Sequence, residues 1–204
     1  MKRCFRYWLV MLLVLGAWLP VACRTSDDAG SDRTPPVDLN YLINSNPAEV
    51  DDSDLPITPV DQINLTGVSP DVDIDKYRLI VDGLVTSPLS LTYEDILDYP
   101  AYTEVVLLIC PGFFVDNAEW SGVPLSVLLA EAGVKLGADE VVIHAMNRYE
   151  AVLPLEAAQR EGVFLAHTVN GEVLPEEHGY PVRLVVKGNF GGDWVKWVGR
   201  LEVK

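Results

Sequence analysis

Apolar and polar positions change period repeatedly along the chain, and each change marks an element. Val105-Val106-Leu107-Leu108-Ile109 carries no polar residue and is followed at once by Cys110, Pro111 and Gly112. An unbroken run stopped by Pro-Gly predicts a strand buried on both faces, Tyr102–Ile109, with a thiol at its end. Upstream, Leu55-Pro56-Ile57-Thr58-Pro59 reads as an extended arm, because a residue before proline is pushed out of the helical region. Tyr77–Val81 reads as a strand, and Asp82-Gly83 as a turn into Leu84-Val85. Thr92, with Asp95 three residues on, caps a short helix through Leu97. Pro124 suits a first helical position; Leu125, Leu128, Leu129 and Ala132 share a core-facing side, and Gly133 ends the helix.

Beyond it, Val141–Ala145 and Tyr149–Leu153 are predicted strands, and a short helix around Leu155–Arg160 separates them from a strand at Phe164–Val169. Asn170-Gly171 predicts a hairpin. Val182–Val186 is a further buried strand, and Trp194–Val203 alternates as the last. Short strands with few helices between them predict an α+β class: a strand-rich mixed sheet or barrel-like sandwich. Tyr77 to the end is long enough to form one domain with its own core.

The amino terminus follows a different rule. Lys2, Arg3 and Arg6 precede an almost wholly apolar stretch, Tyr7–Leu19, and Val21-Ala22-Cys23 follows. Basic start, short apolar run and small residue predict a signal peptide over residues 1–23, too short for a comfortable membrane span. Cys23 directly after the small residue predicts a lipoprotein-type signal and a lipidated Cys23, although Pro20 stands where such signals usually carry Leu. Residues 24–54 are rich in Asp, Ser, Pro and Asn, and are expected to form a disordered acidic tether. The domain proper is expected over residues 55–204. The protein is thus expected on the outer face of a bacterial membrane, held by lipid.

Charge and cysteine usage narrow the partners. The chain carries 30 acidic against 15 basic residues, a formal net charge of -15. That balance argues against nucleic acid or an anionic membrane surface as partner. Removal of Cys4 with the signal, and lipid on Cys23, leave Cys110 as a lone thiol, so no disulfide framework is expected. Cys110 alone is equally readable as a buried core cysteine.

A second cluster changes that balance. His178 lies in a loop, while Arg183 sits between Val182 and Leu184-Val185-Val186, where its guanidinium points away from solvent and needs an anion. The alternative is an internal ion pair with one of the many carboxylates. Gly188, Gly191 and Gly192 allow close backbone approach, and Lys196 adds a point charge; together they suit a phosphate.

From Leu55 onward the chain resembles the molybdopterin domain of the sulfite-oxidase-like oxidoreductases. The resemblance rests on Ile57-Thr58-Pro59, Tyr77-Arg78-Leu79 to Asp82-Gly83, Cys110, and Trp120-Ser121-Gly122-Val123-Pro124-Leu125. It continues through Asn170-Gly171 and His178-Gly179-Tyr180-Pro181-Val182-Arg183 to Val195-Lys196-Trp197. It implies a molybdenum-molybdopterin cofactor with Cys110 as catalytic metal ligand, a role that suits a soft thiolate. It also implies that His178 and Arg183 hold the pterin and its phosphate, that Trp194, Val195 and Lys196 complete the grip, and that Asn147 lies near a cofactor contact.

The chain departs from the family pattern in two places. Pro111-Gly112-Phe113-Phe114-Val115 replaces the Ala-Gly-Asn-Arg-Arg that follows the ligand in sulfite oxidases, and Asn64-Leu65-Thr66-Gly67-Val68 replaces an Arg-Asn-His. Loss of cations disfavours a small dianion and permits a neutral substrate such as a sulfoxide or N-oxide. The expected function is a membrane-tethered oxidoreductase transferring an oxygen atom on a small substrate, with a separate haem or quinone electron partner. Two alternatives remain: a cofactor-free binding or scaffold protein that keeps the fold, and a cysteine hydrolase with Cys110 activated by His178.

Overall fold

A computed structural model describes residues 35–204. The expected signal segment, Cys23 and the first part of the expected tether lie outside the described residues. The compact unit runs from Pro35 to Lys204. Its strands are β1 (Leu79–Gly83), β2 (Leu89–Leu91), β3 (Tyr102–Cys110), β4 (Phe114–Pro124) and β5 (Glu140–Ala145). They continue with β6 (Glu150–Pro154), β7 (Val163–Val169), β8 (Glu172–Val173), β9 (Arg183–Val186) and β10 (Val198–Val203). The helices are α1 (Tyr93–Leu97), α2 (Leu125–Ala132) and α3 (Leu155–Ala158).

One sheet has the order β2-β1-β10-β5-β6, with β1 and β10 parallel and the other pairs antiparallel. The second is antiparallel in the order β3-β4-β7-β8, with β9 also paired to β7. The expected strand-rich α+β domain with a mixed sheet is therefore present, but both sheets are open and no barrel closes. The two sheets and α2 share one core, in which Leu79, Trp120, Leu128, Ile143, Phe164 and Leu201 are fully buried.

Local signals place many elements correctly. Thr92 forms a reciprocal capping box with Asp95. Gly133, in the left-handed region, closes α2. Asn170 (φ 50°) and Gly171 (φ 78°) turn β7 into β8.

Three expectations need correction. No strand is predicted over Phe114–Pro124, yet β4 is the longest described strand, pairing all of β3 from Phe114 to Gly122. Asp116 and Asn117 interrupt its apolar pattern, but both are buried, at 1% and 0% exposure. The arm engages them: Asn64 donates to Asp116, and Thr58 exchanges hydrogen bonds with the Asn117 backbone at 2.7 and 3.1 Å. The last strand starts at Val198 rather than Trp194, because Gly191–Asp193 is a 3-10 turn and Trp197 adopts φ 54°.

The expected tether also reaches too far. Within residues 35–54, Leu39 is 2% exposed and packs against Leu107, Ile109 and Val115, flanked by Val37, Leu42, Ile43 and Val50. Strand β3 sends Val106 and Leu108 into the main core and Leu107 and Ile109 to the opposite face. That second apolar face needs a cover, and the few apolar residues of this strap supply it.

Candidate cofactor site

The alternation of β3 carries Cys110 to the main-core side, where the strand ends at a half-buried thiol. Cys110 lines a cavity of about 390 Å³. Four stretches build its walls: Thr66 and Gly67 of the arm, Phe113 and Phe114 of the β3–β4 turn, Asn147 and Tyr149 between β5 and β6, and Gly191–Trp197 before β10. The wall opposite the thiol is close. A Cβ on Gly191 would lie 2.2 Å from the Cys110 Sγ, so only glycine fits there. A more open groove of about 490 Å³ at Ala138, Asp139, Leu155 and Glu156 contains neither a thiol nor a buried cation.

Two cations flank this cavity. Arg183 is 4% exposed; its guanidinium stacks over Trp120 (4.7 Å) and Trp194 (5.6 Å) and donates to the His178 carbonyl at 3.1 Å. Its Nε has no hydrogen-bond partner. Burial pulls this guanidinium down to about 10, and the field of Asp116 only partly opposes that. Lys196 Nζ donates to the carbonyls of Thr66 and, at 2.8 Å, Glu177, and lies 4.5 Å from the Trp197 ring. Burial first, and then the Arg183 charge, pull Lys196 down to about 8. Among the described residues neither cation makes an ion pair. A buried guanidinium and a half-buried ammonium, each hydrogen-bonded only to neutral carbonyls, suit an anion between them, and a phosphate supplies one.

Comparison with known proteins decides which phosphate-bearing group this is. Residues 66–204 match the family described as oxidoreductase molybdopterin binding domain. The chain belongs to that family.

Relatives of the molybdopterin-binding domain agree. The chain is 34% identical over 165 residues to mitochondrial sulfite oxidase of Macaca fascicularis, covering 66% of this chain and 30% of that protein. It is 35% identical over 132 residues to the uncharacterized oxidoreductase YuiH of Bacillus subtilis (strain 168), covering 64% of this chain and 66% of that protein. The sulfane dehydrogenase SoxCD of Paracoccus pantotrophus superposes with a TM-score of 0.69 at 31% identity, covering 87% of this chain and 55% of that chain. The chain therefore spans about 30% of the length of the sulfite oxidases it matches.

The domain is an oxidoreductase domain whose cofactor is molybdenum-molybdopterin. The residues present fit it: a soft thiolate donor, an orphaned Arg183 Nε, a lysine capped by neutral carbonyls, and a glycine against the thiol.

Of the residues singled out from the sequence, Cys110, Asn147, Trp194 and Lys196 line one cavity. Arg183 is buried against Trp194 from this cavity wall. His178 is buried, its carbonyl holding Arg183 and its ring engaged with the Val60 backbone. Val195 is fully buried; its carbonyl accepts from the Leu184 N–H, and its own N–H donates to Asp193. The arm stretch Asn64–Val68, singled out as a departure from the family pattern, supplies the Thr66-Gly67 wall. Sequence reasoning missed Asp116 and Tyr149, since each acts through partners far away in sequence.

The hydrolase reading finds no catalytic pair. Among the described residues no hydrogen bond joins Cys110 to His178. Burial, then the charge of Asp116, push the Cys110 thiol up and outweigh the opposing charges of Arg183 and Lys196, so the free thiol is not activated as a nucleophile.

Proposed function

We propose that this chain is an exported, membrane-tethered molybdenum oxidoreductase that transfers an oxygen atom to or from a small substrate. Electrons are exchanged with a separate haem or quinone partner, and lipid on Cys23 holds the domain at the outer face of a bacterial membrane. One observation carries the reading: Cys110 lines the same cavity as Lys196, beside a buried Arg183 that makes no ion pair among the described residues and leaves its Nε without a partner. A cofactor-free scaffold keeping such an uncompensated cation gains nothing from it. Relatives named sulfite oxidase, nitrate reductase and sulfane dehydrogenase support the reaction class.

The cofactor, when bound, supplies a two-electron centre that takes or gives an oxygen atom. The chain supplies the rest. Cys110 would offer its sulfur to the metal as a thiolate. Arg183 and Lys196 would hold the phosphate end, with His178 fixing Arg183 by its carbonyl. Phe113, Phe114, Trp194 and Trp197 give the substrate space an aromatic lining, and Tyr149 closes one side by donating to the Gly192 carbonyl at 2.6 Å. Phe113 is 82% exposed and Tyr149 49%, which gives a docking partner an apolar contact at the mouth.

The test is molybdenum per chain in protein made by a host that synthesises the cofactor. About one metal per chain is expected, and Cys110→Ser should lose the metal and keep the fold. A folded protein without molybdenum sinks the reading. Cys23→Ala should move the protein from the membrane fraction to the soluble exported fraction.

A further inference from the structure

We infer that Asp116 sets the charge preference of the cavity: it is a specificity-determining carboxylate that disfavours anionic substrates while leaving neutral ones unaffected. The inference rests on the oxidoreductase reading above. Strand β4 sends Phe114, Ala118 and Trp120 into the main core and Val115 to the opposite face. By that alternation Asp116 shares the side of Phe114 and Trp120, and of Cys110 across the ladder. It is 1% exposed.

Both its oxygens accept hydrogen bonds from one residue: Oδ2 from the Asn64 N–H at 3.0 Å, Oδ1 from the Asn64 side-chain amide at 2.9 Å. Burial raises the Asp116 carboxyl above its ordinary value, while the two Asn64 donors and the Arg183 charge work the other way. Two donors, one on each oxygen, suit the charged carboxylate, since a protonated carboxyl would turn one oxygen into a competing donor. Among the described residues Asp116 makes no ion pair. Its field nonetheless reaches both Cys110 and Arg183, cancelling part of the positive charge beneath the cavity.

The arm completes the effect. Its inward-turned side chain, Asn64, is committed to Asp116, and the next group facing the cavity is the Thr66 carbonyl, which accepts from Lys196. Lys196 is further held by the Glu177 carbonyl. With the cofactor phosphate on Arg183 and Lys196, an incoming anion meets aromatic walls, a carbonyl and a buried negative charge. A neutral oxygen donor or acceptor meets the same walls without the charge penalty.

In the ladder Asp116 lies opposite Leu108, one diagonal step from Cys110. A unit charge acting over a distance on the order of 10 Å, at an effective dielectric of about 20, alters an anion's affinity roughly tenfold. The experiment titrates sulfate, and separately dimethyl sulfoxide, calorimetrically into the full chain loaded with molybdenum cofactor, at matched ionic strength. Asp116→Asn, which keeps one of the two acceptors for Asn64 and removes the charge, should bind sulfate about tenfold more tightly than the unmutated protein. Its dimethyl sulfoxide affinity should not change. Asn64→Ala keeps the charge and loses the clamp, so it should not tighten sulfate binding; Asp116→Ser is the second neutral variant should the first not fold.

Equal sulfate affinity with and without Asp116 overturns the inference. So does equal tightening by Asn64→Ala, or a parallel gain for dimethyl sulfoxide, either of which marks a change of shape rather than charge. Molybdenum is counted first; if the chain holds none, the same titration on the cofactor-free chain reads Asp116 against Arg183 and Lys196. Loss of the metal reading and loss of the charge reading are thereby separate results.

Discussion

Replacing Arg183 by methionine separates a cofactor-binding cation from a structural one. The guanidinium is 4% exposed, has one hydrogen bond, and leaves its Nε without a partner. Burial pulls it well below the ordinary arginine range, to about 10. At about 1.4 kcal/mol per tenfold change in acidity, that depression is a native-state penalty of about 3 kcal/mol. The sign follows from proton binding: the folded state holds this proton less tightly than the unfolded state does. The penalty is therefore fully present below about pH 10 and is relieved only as pH rises from there toward the ordinary arginine range. Opposing it are the interactions that leave with the arginine: its stacking on Trp120 and Trp194 and its bond to the His178 carbonyl, together worth about 1–2 kcal/mol. Methionine fills similar space without charge, so the cofactor-free variant should gain about 1–2 kcal/mol, a rise of roughly 4 °C in Tm. The same change should cut molybdenum per chain about tenfold or more, since the phosphate loses its buried partner. Urea and thermal unfolding of the cofactor-free full chain at neutral pH, beside metal analysis of the loaded one, read both. A cofactor-free variant destabilised by more than about 1 kcal/mol, or one with undiminished molybdenum, refutes the reasoning.

Three further outcomes follow from the same geometry. Lys196 is depressed from 10.5 to about 8, chiefly by burial and then by Arg183, so cofactor-free protein should gain stability as pH rises through that window; Lys196→Met should flatten the rise in chemical unfolding measured against pH. Gly191→Ala should dislodge the thiol, because the new Cβ would fall 2.2 Å from the Sγ and 3.1 Å from Leu108; molybdenum content should fall, and the rate of Cys110 labelling in cofactor-free protein should change. Leu39→Ala should destabilise the domain by about 2–4 kcal/mol in urea unfolding if the strap is part of the core, whereas a free tether predicts no change.

The readable parts of this fold are those whose causes are local. Thr92 and Asp95 cap a helix from three residues apart, and Asn170-Gly171 supplies both left-handed residues that its hairpin needs. Apolar runs at β3 and β9 need no partner to announce burial, and the family pattern then picks out Cys110 and Arg183 on them. The strap is hidden by averaging: Leu39 and Val37 sit among Asp and Asn, and one leucine at 2% exposure matters more than the composition around it. Trp197 is hidden for a different reason. Its left-handed backbone belongs to a non-glycine residue, which no propensity forecasts, and it delays β10 by one short stretch.

Strand β4 shows where sequence reading and function meet. A local rule rejects Asp116-Asn117 as strand interior, because two adjacent polar residues have opposite faces and both demand solvent. The rule fails because partners 52 and 59 positions earlier, Asn64 and Thr58, reach in to satisfy them. Burying a carboxylate and an amide in the middle of the longest strand has a cost that apolar residues would avoid. Asn117 keeps an unpartnered Oδ1, so satisfaction there is incomplete as well. Asn117, on the outer face, fastens the arm to the sheet through Leu55 and Thr58. Asp116, on the inner face, fastens the same arm through Asn64 and places a negative charge beside the thiol and the arginine. The arm so held presents Thr66 and Gly67 to the cavity and gives Lys196 its carbonyl. The break in the apolar pattern and the shape of the cavity thus have one cause, the pair of polar residues that joins β4 to the arm.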